Sequence, residues 1–192
     1  MSWRTRVKFC GITRPEDARL AIALGVDAIG LVFVPQSRRC VGIEQARAVI
    51  EAAAPLVSVI GLFMDAQPTE VRRVLDALPL DALQFHGRES AAYCRQFNRP
   101  YVKALAMGDG VDVVCAASSY AEARGVLLDA HRSGEQGGSG MRFDWSAIPQ
   151  SMTGRIILAG GLTPDNVAAA ITGVRPYAVD VSSGIESAPG FK

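Results

Sequence analysis

Eight short apolar runs punctuate the sequence, at residues 7–10, 28–33, 57–63, 82–85, 101–104, 126–129, 155–159 and 177–181, and most are continuous rather than alternating. A strand that is apolar on both sides must be covered on both faces, as happens when parallel strands are layered by helices. Helical spacing of Ala, Leu, Ile and Val fills intervals at 15–24, 43–53, 70–78 and 164–171. Thr13 stands three residues before Glu16, with Pro15 between them, in the pattern of a capping box at a helix start. Thr163-Pro164-Asp165 opens the last helical interval in a similar way, and Gly25 occupies the C′ position that would stop the first. Eight βα units in 192 residues leave about 24 residues for each (192/8), which is compact but feasible for a closed barrel. The competing architecture, a doubly wound open sheet, usually has fewer strands. The expected fold is therefore α/β, a (β/α)8 TIM barrel forming one phosphate-binding domain over residues 1–192.

Composition narrows the function classes. The net charge is +1, so the chain has no general attraction for nucleic acid or a membrane surface. No apolar run approaches the roughly 18 residues needed to span a bilayer. The start, Met1-Ser2-Trp3-Arg4-Thr5-Arg6, lacks the apolar stretch and cleavage site of a signal peptide. Cys10, Cys40, Cys94 and Cys115 have neither CxxC nor metal-type spacing, and a chain of this size without an export signal is expected to be reduced and cytoplasmic.

Chemistry is expected at the strand ends, because the turns after strands carry the active sites of α/β barrels. Cys10 ends the first run and is followed by Gly11-Ile12-Thr13; a buried thiol can also be plain core. Asp129 closes Val126-Leu127-Leu128, where a carboxylate without partners would cost several kcal/mol to bury, although a helix cap or loop ion pair would also explain it. A thiol and a carboxylate facing each other across one pocket suit a proton-shuttling enzyme. Gly160-Gly161, Ser182-Ser183-Gly184 and Gly137-Gly138-Ser139-Gly140 give three small-residue turns after consecutive late strands. Backbone N–H groups exposed there are suited to a phosphate. The longest punctuated segment, 130–141, reads as a flexible loop above the sixth strand. Of Arg38 and Arg39, one could clamp a carboxylate bidentately, and Arg38 reads better as a solvated loop residue. His86 ends the fourth run and is either a substrate contact or a satisfied core residue. Lys8 and Lys103 could form Schiff bases but read better as parts of polar layers inside the barrel, and His131 has no partner spacing for a metal.

Taken together, Lys8-Phe9-Cys10-Gly11-Ile12-Thr13, Gln84-Phe85-His86-Gly87, Leu127-Leu128-Asp129, Gly137-Gly138-Ser139-Gly140 with Phe143-Asp144-Trp145, and Val179-Asp180-Val181-Ser182-Ser183-Gly184-Ile185-Glu186 resemble the phosphoribosylanthranilate isomerases of tryptophan biosynthesis. The motifs occur in that family's order and span nearly the whole chain. The resemblance implies an Amadori rearrangement of N-(5′-phosphoribosyl)anthranilate to 1-(2-carboxyphenylamino)-1-deoxyribulose 5′-phosphate. It implies Asp129 as general acid, Cys10 as general base and Arg39 as the holder of the anthranilate carboxylate. His86, Gly138, Ser139, Gly140, Gly160, Gly161, Asp180, Ser182, Ser183 and Gly184 are the further substrate-binding residues it implies. It also implies no cofactor and no metal, a small phosphorylated substrate, no nucleic-acid or membrane partner, and a monomer or homodimer. Chains of that family continue into a last helix over the eighth strand, so an eighth helix is expected to be missing from a sequence ending Pro189-Gly190-Phe191-Lys192, leaving a strip beside that strand uncovered. Two other readings stay open at this point: a Schiff-base aldolase of the same barrel class, and a ligand-binding barrel without activity.

Overall fold

The computed structural model describes residues 4–107, 111–130 and 144–192. Its strands are β1 (Arg6–Cys10), β2 (Ala28–Val32), β3 (Ser58–Phe63), β4 (Ala82–Phe85), β5 (Tyr101–Ala106), β6 (Gly125–Asp129), β7 (Ile156–Leu158) and β8 (Ala178–Val181). Each pairs in parallel with its sequence neighbours, and β8 returns to β1, so the sheet closes as a barrel in the order β1 to β8. Every expected apolar run has become a strand of this barrel, and the open-sheet alternative falls.

The helices among the described residues are α1 (Pro15–Ala23), α2 (Ile43–Glu51), α3 (Pro68–Ala77), α4 (Ala91–Arg95), α5 (Val113–Ser118) and α6 (Val167–Val174). Two are too short to have shown a helical period in the sequence. Between β6 and β7 the described chain makes only 3-10 turns, Trp145–Ala147 and Gln150–Arg155, and after β8 one more, Ser183–Ile185. No helix among the described residues is long and apolar enough to cross a membrane.

Two helix starts differ from the expected ones. At α1 the N-cap is Arg14, and its side chain makes no capping bond. The Thr13 hydroxyl instead donates to the carbonyl of Gly190 at 2.5 Å, so the capping box does not form. At α6 the turn Thr163-Pro164-Asp165 lies outside the helix. Asn166 is the N-cap, and its Oδ1 accepts from the Thr163 N–H at 2.9 Å. Gly25 behaves as expected, with φ +80° and its N–H donating to the Ile22 carbonyl at 2.9 Å after the end of α1.

Strand alternation sorts the core into two layers. Gln84 faces the barrel axis, which turns Leu83 and Phe85 outward beneath the helices. Phe85 is fully buried and packs against the rings of Phe63, Tyr93, Phe97 and Tyr101, with centroids 5.7–6.4 Å away. Inside the barrel, Cys10, Val32, Val34 and Leu62 form one apolar group, and Val102, Ala104, Leu127 and Ala159 another.

Lys103 departs from its expected place. Val102 and Ala104 take the interior, so Lys103 between them points outward. There its Nζ donates to the Gly87 carbonyl at 2.6 Å and lies 3.2 Å from Glu89 Oε2. It is a buried ion-pair residue of the outer layer, not a member of an interior polar layer.

Phe85→Ala should cost about 3–5 kcal/mol in equilibrium denaturation, since it empties the centre of the aromatic cluster under α4. A loss below about 1 kcal/mol would show that these rings contribute little to the outer core.

Candidate active site

The barrel's carboxyl-terminal mouth holds a cavity lined by Cys10, Gln84, His86, Asp129, Asp180 and Arg39, together with Gly160, Gly161, Ser182 and Ser183. Cys10 is the last residue of β1 and Asp129 the last of β6, three strands away round the ring through β8 and β7. Two residues remote in sequence therefore look into one space from nearly opposite sides.

Cys10 fits because β2 carries a glycine beside it. A Cβ on Gly30 would lie 2.7 Å from Cys10 Sγ and 3.1 Å from Lys8 Nζ. Lys8 and Cys10 are two apart on β1, so both point inward. Lys8 Nζ sits 2.9 Å from each oxygen of Asp180, its direct neighbour across the β1–β8 ladder. Burial opposes the charge on Lys8, but Asp180 and Cys10 together outweigh it and hold the ammonium above the ordinary lysine value. Burial likewise pushes the Cys10 thiol up. The Lys8 charge works against that rise, and Asp180 adds to it.

On the facing wall, Asp129 Oδ2 lies 3.4 Å from His86 Nε2. Gln84 Nε2 is 3.1 Å from His86 Nδ1. An amide nitrogen only donates, so Nδ1 is the acceptor, and this assignment places the ring proton on Nε2, toward Asp129.

The late turns are built for close backbone approach. Gly160 and Gly161 have φ +80° and +65°, in the left-handed region. A Cβ on Gly160 would lie 2.5 Å from the Ala130 nitrogen, so this turn lies directly against the end of β6. Asn166 Nδ2 holds the Gly161 carbonyl at 2.8 Å, tying the turn to the start of α6. Gly184 does not line the cavity. A Cβ there would meet the Leu162 carbonyl oxygen at 1.9 Å, so its absence lets the turn after β8 nest on the turn after β7. The Ser182 hydroxyl donates to the Cys10 carbonyl at 3.0 Å and anchors that turn to β1.

Arg39 lines the cavity while Arg38 is exposed outside it. The Arg39 guanidinium is already engaged: Nε and Nη2 each lie 2.7 Å from an oxygen of Glu186. Burial would raise the Glu186 carboxyl, but Arg39, the Gly190 N–H and Lys192 more than offset it and hold the group below the usual carboxylate range. Gly138, Ser139, Gly140 and His131 lie outside the described residues.

Sequence reading alone assigned no part to Gln84, Glu186 or Lys192. Gln84 was detectable in principle, since it lies on β4 two residues before His86, which follows the strand's end, and both line the cavity. Glu186 and Lys192 carry no such signal, because Glu186 meets Arg39, and Lys192 meets Glu186, only through the folded return of the chain after β8. All four cysteines are free thiols.

Gly30→Ala should destabilise the fold by about 1–3 kcal/mol, because the new methyl collides with Cys10 Sγ in a packed interior. Chemical denaturation measures this, and unchanged stability would mean the thiol is not confined as described.

The family profile described as N-(5'phosphoribosyl)anthranilate (PRA) isomerase matches residues 7–192. An N-(5'-phosphoribosyl)anthranilate isomerase of Pseudomonas fluorescens is 57% identical over 187 residues, covering 97% of this chain and 89% of that protein. The crystal structure of the phosphoribosyl anthranilate isomerase from Thermus thermophilus superimposes with a TM-score of 0.86 at 41% identity, covering 98% of this chain and 92% of that one. Another, solved in complex with reduced 1-(o-carboxyphenylamino)-1-deoxyribulose 5-phosphate, gives 0.85 at 38% identity over the same shares. With its closed barrel and the family match running from β1 to its last residue, this chain belongs to the N-(5'-phosphoribosyl)anthranilate isomerase family.

Proposed function

We propose that Asp129 and Cys10 are the acid and base with which this isomerase rearranges N-(5′-phosphoribosyl)anthranilate. The observation that carries the assignment is their shared cavity: a carboxyl and a thiol on far-apart strands, flanked by the turns at Gly160-Gly161 and Ser182-Ser183. Those turns would take the phosphate on backbone N–H groups, and Arg39 the anthranilate carboxylate.

With the substrate so held, Asp129 as the acid gives its proton to the furanose ring oxygen. The C1′–O bond breaks, and the nitrogen lone pair forms C1′=N, leaving a protonated Schiff base. Cys10 as thiolate takes the proton from C2′. The C–H electrons become C1′=C2′, and the C=N pair returns to nitrogen, giving the enolamine. Loss of the C2′ hydroxyl proton and gain of one at C1′ produce the ketone, so the product is an isomer of the substrate.

The surroundings favour these roles. Lys8 stabilises a negative sulfur, and Asp180 keeps Lys8 charged and oriented. The His86 Nε2 proton faces the carboxylate that Asp129 becomes after donating. Lys8 itself is committed to a buried ion pair and Lys103 lies outside the barrel interior, which disfavours either lysine as a Schiff-base nucleophile.

Positioned acid–base groups contribute about 10²- to 10⁴-fold each. Cys10→Ala and Asp129→Ala should therefore each lower kcat by at least about 10²-fold with substrate binding retained. Near-normal turnover in Cys10→Ala would remove the thiol from the chemistry.

The pH dependence has a definite sign. The thiol is raised above the ordinary value of 9.0, so the reactive thiolate is the minor form at neutral pH. The rate of alkylation at Cys10, which follows its thiolate alone, should therefore still be rising with pH at 9.0. An alkylation rate already level below 9.0 would show that burial does not hold this thiol up.

A further inference from the structure

Glu186 carries a feature that the acid–base chemistry leaves unused. Its side chain is 6% exposed, and it does not line the cavity, whereas Arg39 does. A guanidinium has five N–H donors, arranged as a side edge, Nε with Nη2, and an end edge, Nη1 with Nη2. Glu186 takes the side edge, with Oε1 on Nε and Oε2 on Nη2, each at 2.7 Å. The end edge has no side-chain or backbone partner among the described residues, and Arg39 lines the mouth.

Glu186 is itself held from behind. The Gly190 N–H donates to Oε1 at 3.1 Å, and Lys192 Nζ lies at the same distance from that oxygen. Lys192 Nζ also donates to the Ser182 carbonyl at 2.9 Å. The stem of Arg39 lies across Gly11, whose φ is +75° and where a Cβ would fall 2.4 Å from Arg39 Cδ. A glycine on one side and a braced carboxylate on the other thus leave the guanidinium one orientation.

We propose that Glu186 is a positioning residue that sets the specificity of this site: by occupying the side edge of Arg39 it aims the end edge at the carboxylate of the substrate's aromatic amine. The inference rests on the reading that Arg39 holds that carboxylate. It adds that a preformed, braced fork, rather than a loose cation, selects an anthranilate ring over one lacking the carboxylate.

The test compares N-(5′-phosphoribosyl)anthranilate with N-(5′-phosphoribosyl)aniline, which lacks the carboxylate, across Glu186→Gln, Arg39→Ala and the double variant. Glu186→Gln should raise KM for the anthranilate compound about fivefold to tenfold, because misaligning one bidentate contact weakens uniform binding. It should leave kcat within about twofold and the aniline compound unaffected. In the Arg39→Ala background the same change should add nothing, since its effect passes through the arginine. Where Glu186→Gln does not fold, as thermal melting will report, Glu186→Asp is judged by the same criteria, because it keeps the charge but withdraws it by one methylene.

An unchanged KM in Glu186→Gln overturns the proposal. So does an equal rise for both compounds, or a rise that persists without Arg39. Should Arg39→Ala itself leave KM for the anthranilate compound unaltered, the carboxylate assignment fails instead, a pattern distinct from any of these.

Discussion

Closure of the barrel between β8 and β1 is the constraint on which the rest of the site depends. That ladder sets Lys8 directly beside Asp180, and the two side chains, pointing into the barrel together, meet at 2.9 Å. A buried lysine without its carboxylate, or the reverse, would be an uncompensated charge in a low-dielectric interior. The pair therefore ties the closing strands to one register. A slip of β1 by one residue would turn Lys8 and Cys10 outward, away from Asp180, and put Val7 and Phe9 in the interior. Barrel closure and the placement of the thiol are one physical event.

Charge in the mouth is arranged in opposed sectors. Around Cys10 the nearest cation is Lys8, with its own counter-ion. Beside Asp129 stands His86, whose tautomer is set by Gln84. Arg39 is neutralised along one edge by Glu186. Almost every charge is paired on its inner side, so a ligand meets groups already oriented and half satisfied. Such an arrangement lowers the reorganisation needed when substrate charge develops.

Glycine does different work at different points. At Gly160 and Gly161 it supplies a backbone conformation that side chains resist, and at Gly184 it allows two turns to touch. At Gly30 the conformation is ordinary and the issue is volume, because the missing side chain is the space that Cys10 and Lys8 occupy. The sequence shows the first kind through its setting in turns. It gives no hint of the second, since a glycine in a strand looks alike whether it faces a sulfur or a helix.

The eight strands and the strand-end positions of Cys10 and Asp129 were legible in the sequence, because continuous apolar runs and a polar residue ending one are local signals. The motif order identified the family by the same local means. Helix starts were less legible: Thr13 carries the right spacing for a cap, but its hydroxyl is taken by Gly190, which lies 177 residues away. The side on which Lys103 fell, the engagement of Arg39 by Glu186, and the link from Lys192 through Glu186 to the Ser182 turn were decided only by the tertiary structure. Each depends on which elements the closed barrel brings together. Hydrophobic periodicity records which residues must be buried, whereas the partner of a buried charge is chosen by packing between elements remote in the chain.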